Sequence, residues 1–274
     1  MVKERDLIRW IAGRAPDVGD DCAVLDCEPW GTLLVTTDSV IDGVHARWTT
    51  DGPAAFGYKA VARGLSDVAA MGGEPLWAVV AACLPPGATE AEAHALYEGA
   101  ERAGCRLVGG DTAFGPTAYV TATVLGRAHA QGPVLRSGAQ AGDTLVVTGA
   151  LGGSLTSGRH LTFQPRVAEA RALVEHGVHA MIDLSDGLST DLAHLLEASG
   201  VGARVEAALV PCHGTLPQAL HDGEDYELLA AVPPGTLPPG AIRIGTIVDG
   251  EGAVLVHEDG AEDPLRPGGY EHGA

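Results

Sequence analysis

The chain has 274 residues, 46% of them apolar, and its 17 lysines and arginines face 36 aspartates and glutamates, a formal net charge of −19 at pH 7. That apolar content excludes a disordered chain, and a surface of that sign repels a phosphodiester backbone, which excludes direct binding to nucleic acid and favours multivalent cations instead. The longest apolar run, Leu76 to Leu84, is far short of the roughly 20 residues of a membrane-spanning helix.

Taken along the chain, apolar and β-branched runs bounded by Gly, Pro or Asp predict strands over 33–37, 76–84, 119–125, 144–148, 181–184, 226–232 and 253–256. A helix is predicted from 53 to 71, with Asp51 near its cap, Pro53 in its first turn and Gly72-Gly73 as the stop. Thr89-Glu90-Ala91-Glu92 is a capping box opening a helix that ends near Gly104. A third helix, 186–199, carries Leu188, Leu192, Leu195 and Leu196 as one apolar stripe. Glycine-rich, polar 128–143 reads as a connection, so the expectation is a mixed α/β protein of two domains, 1–132 and 133–274.

Carboxylates gather in short motifs flanked by glycine or near strand ends: Gly19-Asp20-Asp21, Thr36-Thr37-Asp38, Leu65-Ser66-Asp67, Gly109-Gly110-Asp111-Thr112, Asp183-Leu184-Ser185-Asp186-Gly187 and Gly223-Glu224-Asp225-Tyr226-Glu227. Singly, each reads equally well as a turn or a cap. Asp67 has Arg63 one helical turn away as a ready ion-pair partner, and Asp191 fits a solvated helix face. Jointly they favour a polyvalent site, because carboxylates ending a buried strand need neutralising and hard oxygen ligands select Mg²⁺ or Ca²⁺. No G-x-x-x-x-G-K-[ST] loop is present, and Lys3 and Lys59 are the only lysines, which excludes a P-loop. Gly149-Ala150-Leu151-Gly152-Gly153-Ser154 offers backbone N–H groups to a phosphate, though a turn explains it as well.

In order, Gly-Asp-Asp-Cys-Ala-Val-Leu (19–25), Thr-Thr-Asp-Ser-Val-Ile-Asp-Gly-Val-His (36–45), Leu-Ser-Asp-Val-Ala-Ala-Met-Gly-Gly-Glu-Pro (65–75), Gly-Gly-Asp-Thr (109–112), Arg-Ser-Gly-Ala (136–139), Ile-Asp-Leu-Ser-Asp-Gly-Leu (182–188) and Gly-Glu-Asp-Tyr-Glu-Leu-Leu (223–229) resemble the thiamine-monophosphate kinase family. That family belongs to the superfamily of aminoimidazole ribonucleotide synthetase and selenophosphate synthetase. The resemblance implies an N-terminal α/β domain whose strands pair across a homodimer, and an α/β C-terminal domain. It implies ATP as co-substrate, thiamine monophosphate as acceptor and several Mg²⁺ ions. Asp21, Thr36, Thr37, Asp38, Asp67, Asp111 and Asp183 would hold metal, with Asp186 holding a further ion. Gly110, Asp111, Arg136, Ser185 and Tyr97 would contact ATP, and His45, Glu224 and Tyr270 the acceptor. Asp222 stands where the family has the first glycine of Gly-Gly-Glu-Asp, and 154–165 and 211–222 look shortened.

The expected chemistry needs no side-chain base, since the acceptor phosphate has a second pKa near ~6 and is mostly ionised at neutral pH. The obstacle is repulsion between two polyanions, which calls for cations and positioning in a direct transfer without a phosphoenzyme. The alternatives are another ATP-using enzyme of the superfamily and a non-catalytic nucleotide- or metal-binding protein on the same fold. Selenophosphate synthetase would need a reactive Cys near a Lys, whereas Cys22 sits inside the first acidic motif. The five cysteines read as small buried apolar residues, and with no C-x-x-C pair and an N-terminus, Met-Val-Lys-Glu-Arg-Asp, that carries acids where a signal peptide needs a basic region, they fit a cytoplasmic protein with no structural zinc.

Overall fold

The computed structural model describes residues 20–27, 31–235 and 237–270. Gly19, Lys3 and the rest of the N-terminal stretch lie outside the described residues. The first half forms a five-stranded sheet from β1 (Ala23–Asp26), β2 (Thr32–Ile41), β3 (Glu74–Leu84), β4 (Arg106–Phe114) and β5 (Tyr119–Arg127), in the order β1-β2-β5-β3-β4. Every neighbouring pair is antiparallel except β3 with β4. Strict alternation sorts its side chains: Leu34, Val40, Ala78, Val80, Val120 and Val124 are buried, while Trp77, Tyr119 and, on β4, Val108 and Phe114 are exposed. One face is therefore covered and the other open.

The covering element is the helix Pro53–Ala70, begun by Pro53 and closed where the Gly73 N–H reaches back to the Val68 carbonyl. Against it packs the helix Glu90–Arg102, whose predicted capping box is formed by Thr89 and Glu92. Lys59, Arg63 and Asp67 fall one turn apart along one side of Pro53–Ala70. Lys59 is fully buried, because the second half of the chain packs over that side.

That second half is a seven-stranded sheet of β6 (Thr144–Val147), β7 (Ala180–Asp183), β8 (Gly202–Glu206), β9 (Leu228–Val232), β10 (Ile242–Val248), β11 (Gly252–Val256) and β12 (Glu262–Leu265), ordered β12-β11-β8-β10-β6-β9-β7. The helix Leu188–Ser199 buries the predicted stripe of Leu188, Leu192, Leu195 and Leu196. A separate apolar cluster joins the halves. Ala69 and Ala70, at the end of Pro53–Ala70, pack with Val134, Val174, Met181 and Leu228. A smaller one stacks Phe163 on Tyr226, ring centroids 4.0 Å apart, beside Tyr58. The long helix thus belongs to both cores and fixes one sheet against the other.

All five cysteines are free; Cys22 and Cys105 are buried as expected, whereas Cys27 and Cys83 are half-buried and Cys212 is exposed. Among the described residues, no helix is long and apolar enough to cross a membrane.

Candidate active site

Three carboxylates from separate parts of the chain meet at one point, and a fourth, Asp38, adjoins it. Asp21 precedes β1, Asp38 lies within β2, Asp67 stands in the last turns of Pro53–Ala70, and Asp183 ends β7. One oxygen from each of Asp21, Asp67 and Asp183 lies within 4.8 Å of the others. Thr36 Oγ donates to Asp67, and Ser66 Oγ donates to Asp183 at 2.7 Å. Arg136 grips Asp21 with two N–H groups, at 3.0 and 3.3 Å, while its backbone N–H donates to Asp20.

Two unit charges ~4 Å apart repel by roughly 4 kcal/mol at an effective dielectric of 20, so three ionised carboxylates in this space need more positive charge than Arg136 alone supplies. The protonation equilibria record that shortage. Burial, reinforced by the charge of Asp21, pushes the Asp183 carboxyl up to about 8, and burial with Asp38, Asp183 and Asp21 holds Asp67 well above the usual range. A converging set of hard oxygen donors that prefers a proton to no cation at all fits a divalent ion such as Mg²⁺.

The other predicted ligands divide. Asp38 adjoins the cluster and is held by Arg63 at 2.9 Å; the ion pair expected between Arg63 and Asp67 is not what forms. The Thr37 hydroxyl instead donates to the Ala122 carbonyl on the far face of β2. Asp186 lines a neighbouring cavity, and Asp191 is buried rather than solvated, accepting the Asp186 and Gly187 N–H groups at 3.0 Å each. Asp111 does not reach the cluster. It lies in β4 in register with Ala81, on the open face, and two strands separate β4 from β2, about 14 Å at the usual spacing. Gly109-Gly110-Asp111 is not a loop but part of this edge strand, where a Cβ on Gly110 would fall 1.9 Å from the Val80 carbonyl oxygen. Tyr97 joins that group, its hydroxyl bonded to Thr112 Oγ at 2.7 Å and to the Asp111 carbonyl.

Beside the cluster, between the halves, lies a cavity of about 320 Å³ whose lining includes His45, Arg63, Ser185, Asp186, Glu224 and Tyr270. All three expected acceptor residues are in it. Glu224 closely pairs with Lys59, which also donates to the His45 carbonyl at 2.7 Å. Glu224 and Tyr226 adopt left-handed backbone, with φ of 68° and 53°. Such conformations cost of order 1–3 kcal/mol each and persist only where surroundings enforce them. Here the Glu224 and Tyr226 N–H groups bond the Ser185 and Leu184 carbonyls, Asp225 is held by Arg159, and buried Glu227 by Thr148 and Arg166. Asp225 and Glu227 are thus scaffold, not ligands. Tyr270 does not fray, because its N–H and those of Gly268 and Gly269 bond Asp186, Ser189 and Thr190. The Gly152 and Gly153 N–H groups, candidates for phosphate, are taken by Asp225 and Asp222.

Sequence reasoning missed Lys59 and Arg63 as site residues, although their spacing ahead of Asp67 was the available signal. Ser66, adjacent to Asp67 in the motif, was missed as a partner of Asp183.

The family models for AIR synthase related proteins match this chain twice, the N-terminal domain over residues 19–128 and the C-terminal domain over 140–258. The thiamine-monophosphate kinase of Rhodopirellula baltica is 38% identical over 264 residues, covering 84% of this chain and 82% of its own. That of Escherichia coli K12 is 36% identical over 249 residues, 79% of this chain and 76% of its own. Among solved structures, AaThiL complexed with AMPPCP and TMP superposes with a TM-score of 0.88 at 29% identity, covering 98% of this chain and 97% of that one.

Proposed function

The chain belongs to the AIR synthase related proteins and, within them, to the thiamine-monophosphate kinases, and from that premise we propose that it transfers the γ-phosphoryl group of ATP directly and in line to thiamine monophosphate, forming thiamine diphosphate. The observation that carries this reading is the Asp21, Asp67 and Asp183 cluster standing against a cavity lined by His45, Glu224 and Tyr270.

Asp21, Asp67 and Asp183, with Asp38 and Thr36 beside them and Asp186 for a further ion, would hold Mg²⁺, which when bound neutralises the phosphates that must approach one another. The chain's own groups do the rest. Ser66 and Thr36 aim two of the carboxylates and Arg136 orients a third, and Arg136 and Ser185 would contact ATP. Lys59 fixes Glu224 at the acceptor wall. No residue is asked to act as base or nucleophile, since the attacking phosphate oxygen is already ionised.

A homodimer belongs to the same reading. The first sheet leaves Trp77, Val108, Phe114 and Tyr119 exposed on or beside its open face, an apolar surface of the kind that pairs with a second copy. Asp111, Gly110 and Tyr97, remote from the cluster of their own chain, would then serve the site of the partner. We keep the domain limits at 1–132 and 133–274, and place the protein in the cytoplasm, where five free cysteines are stable.

The test is ADP release by the purified chain with Mg²⁺ and a panel of phosphorylated acceptors that includes aminoimidazole-pathway intermediates. Turnover with thiamine monophosphate alone supports the reading; turnover with another acceptor only, or none, refutes it.

A further inference from the structure

The mechanism above leaves Arg63 without a task beyond holding Asp38. The residue lies one helical turn before Asp67 and one after Lys59, its side chain 15% exposed. Its Nη1 donates to the Ser39 carbonyl at 2.7 Å and its Nη2 meets Asp38 Oδ1 at 2.9 Å. Its Nε–H is buried and, among the described residues, has no acceptor. A buried N–H without a partner is costly, on the order of 1–3 kcal/mol, so it marks a place where an acceptor belongs.

Arg63 is one of the residues that line the cavity of about 320 Å³. The ionisable groups lining that cavity are His45, Asp186, His221, Asp222, Glu224, Tyr226, Tyr270 and Arg63. Only Arg63 among them carries a permanent positive charge. Lys59, the other nearby cation, is fully buried and already committed to Glu224 and to the His45 carbonyl. A dianionic phosphate entering this acidic cavity therefore has one fixed cation to meet. That cation is paired with Asp38, which adjoins the carboxylate cluster, and the Nε/Nη2 edge of a guanidinium is the fork that grips two oxygens of a phosphate.

We propose that Arg63 is the specificity-determining residue of the acceptor cavity, binding the phosphate monoester of the acceptor through its Nε/Nη2 edge and so selecting phosphorylated over unphosphorylated acceptors. This rests on the kinase reading above and adds to it which side chain reads the acceptor's phosphate. Binding there turns the phosphate toward the metal end of the cavity and leaves the organic part of the acceptor toward Tyr270 and Leu155.

The experiment compares the wild type with Arg63→Gln and Arg63→Lys by steady-state kinetics. It measures KM for thiamine monophosphate, KM for ATP, and the competitive inhibition constant of thiamine, the same acceptor without its phosphate. Arg63→Gln should raise KM for thiamine monophosphate about tenfold to a hundredfold, the scale of a lost hydrogen bond to a charged group. The thiamine constant and KM for ATP should move by less than about twofold, and Arg63→Lys, which keeps charge but not the fork, should recover part of the loss. An equal rise for thiamine and its monophosphate, or no rise in either, overturns the assignment while wild-type turnover preserves the kinase reading. Absence of thiamine-monophosphate-dependent turnover in the wild type overturns both. If Arg63→Gln does not fold, as judged by thermal melting, the same comparison with Arg63→Lys decides, with a selective rise in KM for the monophosphate supporting the proposal and none overturning it.

Discussion

Removing divalent cations and raising the pH should destabilise this protein, the reverse of what paired surface carboxylates produce. The Asp183 carboxyl is pushed up to about 8 in the folded chain from an unfolded value of 3.8, chiefly by burial and then by Asp21. Between those values the folded state binds a proton that the unfolded state has lost, so the metal-free fold is favoured at low pH and loses stability as pH rises. The loss runs at about 1.4 kcal/mol per pH unit for each such group. From about pH 6 to about pH 8, Asp183 alone gives roughly 2 kcal/mol, which for a chain of this size is a fall in Tm of roughly 3–5 °C. Mg²⁺ competes with the proton for the same oxygens. At a hundred times its Kd it should return about 2.7 kcal/mol, and the gain should be larger at the higher pH. Calorimetric melting in chelator and in Mg²⁺ at both pH values checks this, with Asp183→Asn as the control that flattens the chelator slope. A chelator Tm that is constant or rises over this range, or a Mg²⁺ gain equal at both pH values, would refute the argument that the cluster is short of positive charge.

Three further outcomes follow from particular contacts. Asp111→Asn and Asp67→Asn should each lose activity at least a hundredfold with melting curves little changed; mixed and allowed to exchange, they should recover about a quarter of wild-type activity, since half the dimers then hold one intact site of two, whereas no recovery would place Asp111 in the site of its own chain. Glu227→Ala, which removes the buried partner of the Thr148 hydroxyl and leaves the partly exposed Arg166 with Glu169 alone, should cost about 2 kcal/mol of stability in denaturant melts. Because Asp225 and Glu227 hold the strained Glu224 and Tyr226 backbone, the Glu227 variant should also raise KM for the acceptor more than KM for ATP; equal changes would argue against that role.

The fold was legible where periodicity was strong. Pro53–Ala70, the Thr89 capping box and the leucine stripe of Leu188–Ser199 all stand as their patterns predict. What escaped were β1, β4 and β12, edge strands that are short or leave polar and glycine-rich residues exposed, and β8 and β10, interior strands whose apolar pattern is interrupted by Gly202 and Arg204 and by Arg243 and Gly245. Gly109-Gly110-Asp111 is the instructive case: glycine lowers strand propensity, yet the close approach to Val80 in an edge strand demands it. Within the site, local motifs pointed to the acids but not to their geometry. Nothing in the spacing of 36–38 and 109–112 separates Asp38, beside the cluster, from Asp111, two intervening strands away on the opposite face, because strand order is a long-range property. Nor could an i, i+4 rule choose Asp38 over Asp67 for Arg63, since the partner came from a strand and not from the same helix.

The most direct measurement is to incubate the purified protein with γ-labelled ATP, thiamine monophosphate and Mg²⁺, quench with acid, and follow the label in both product and protein. The account predicts label in the terminal phosphate of thiamine diphosphate, none covalently held by the protein at any time, and loss of the transfer in chelator and in Asp67→Asn. Label retained on the protein, or transfer that survives chelation or the loss of Asp67, would contradict it.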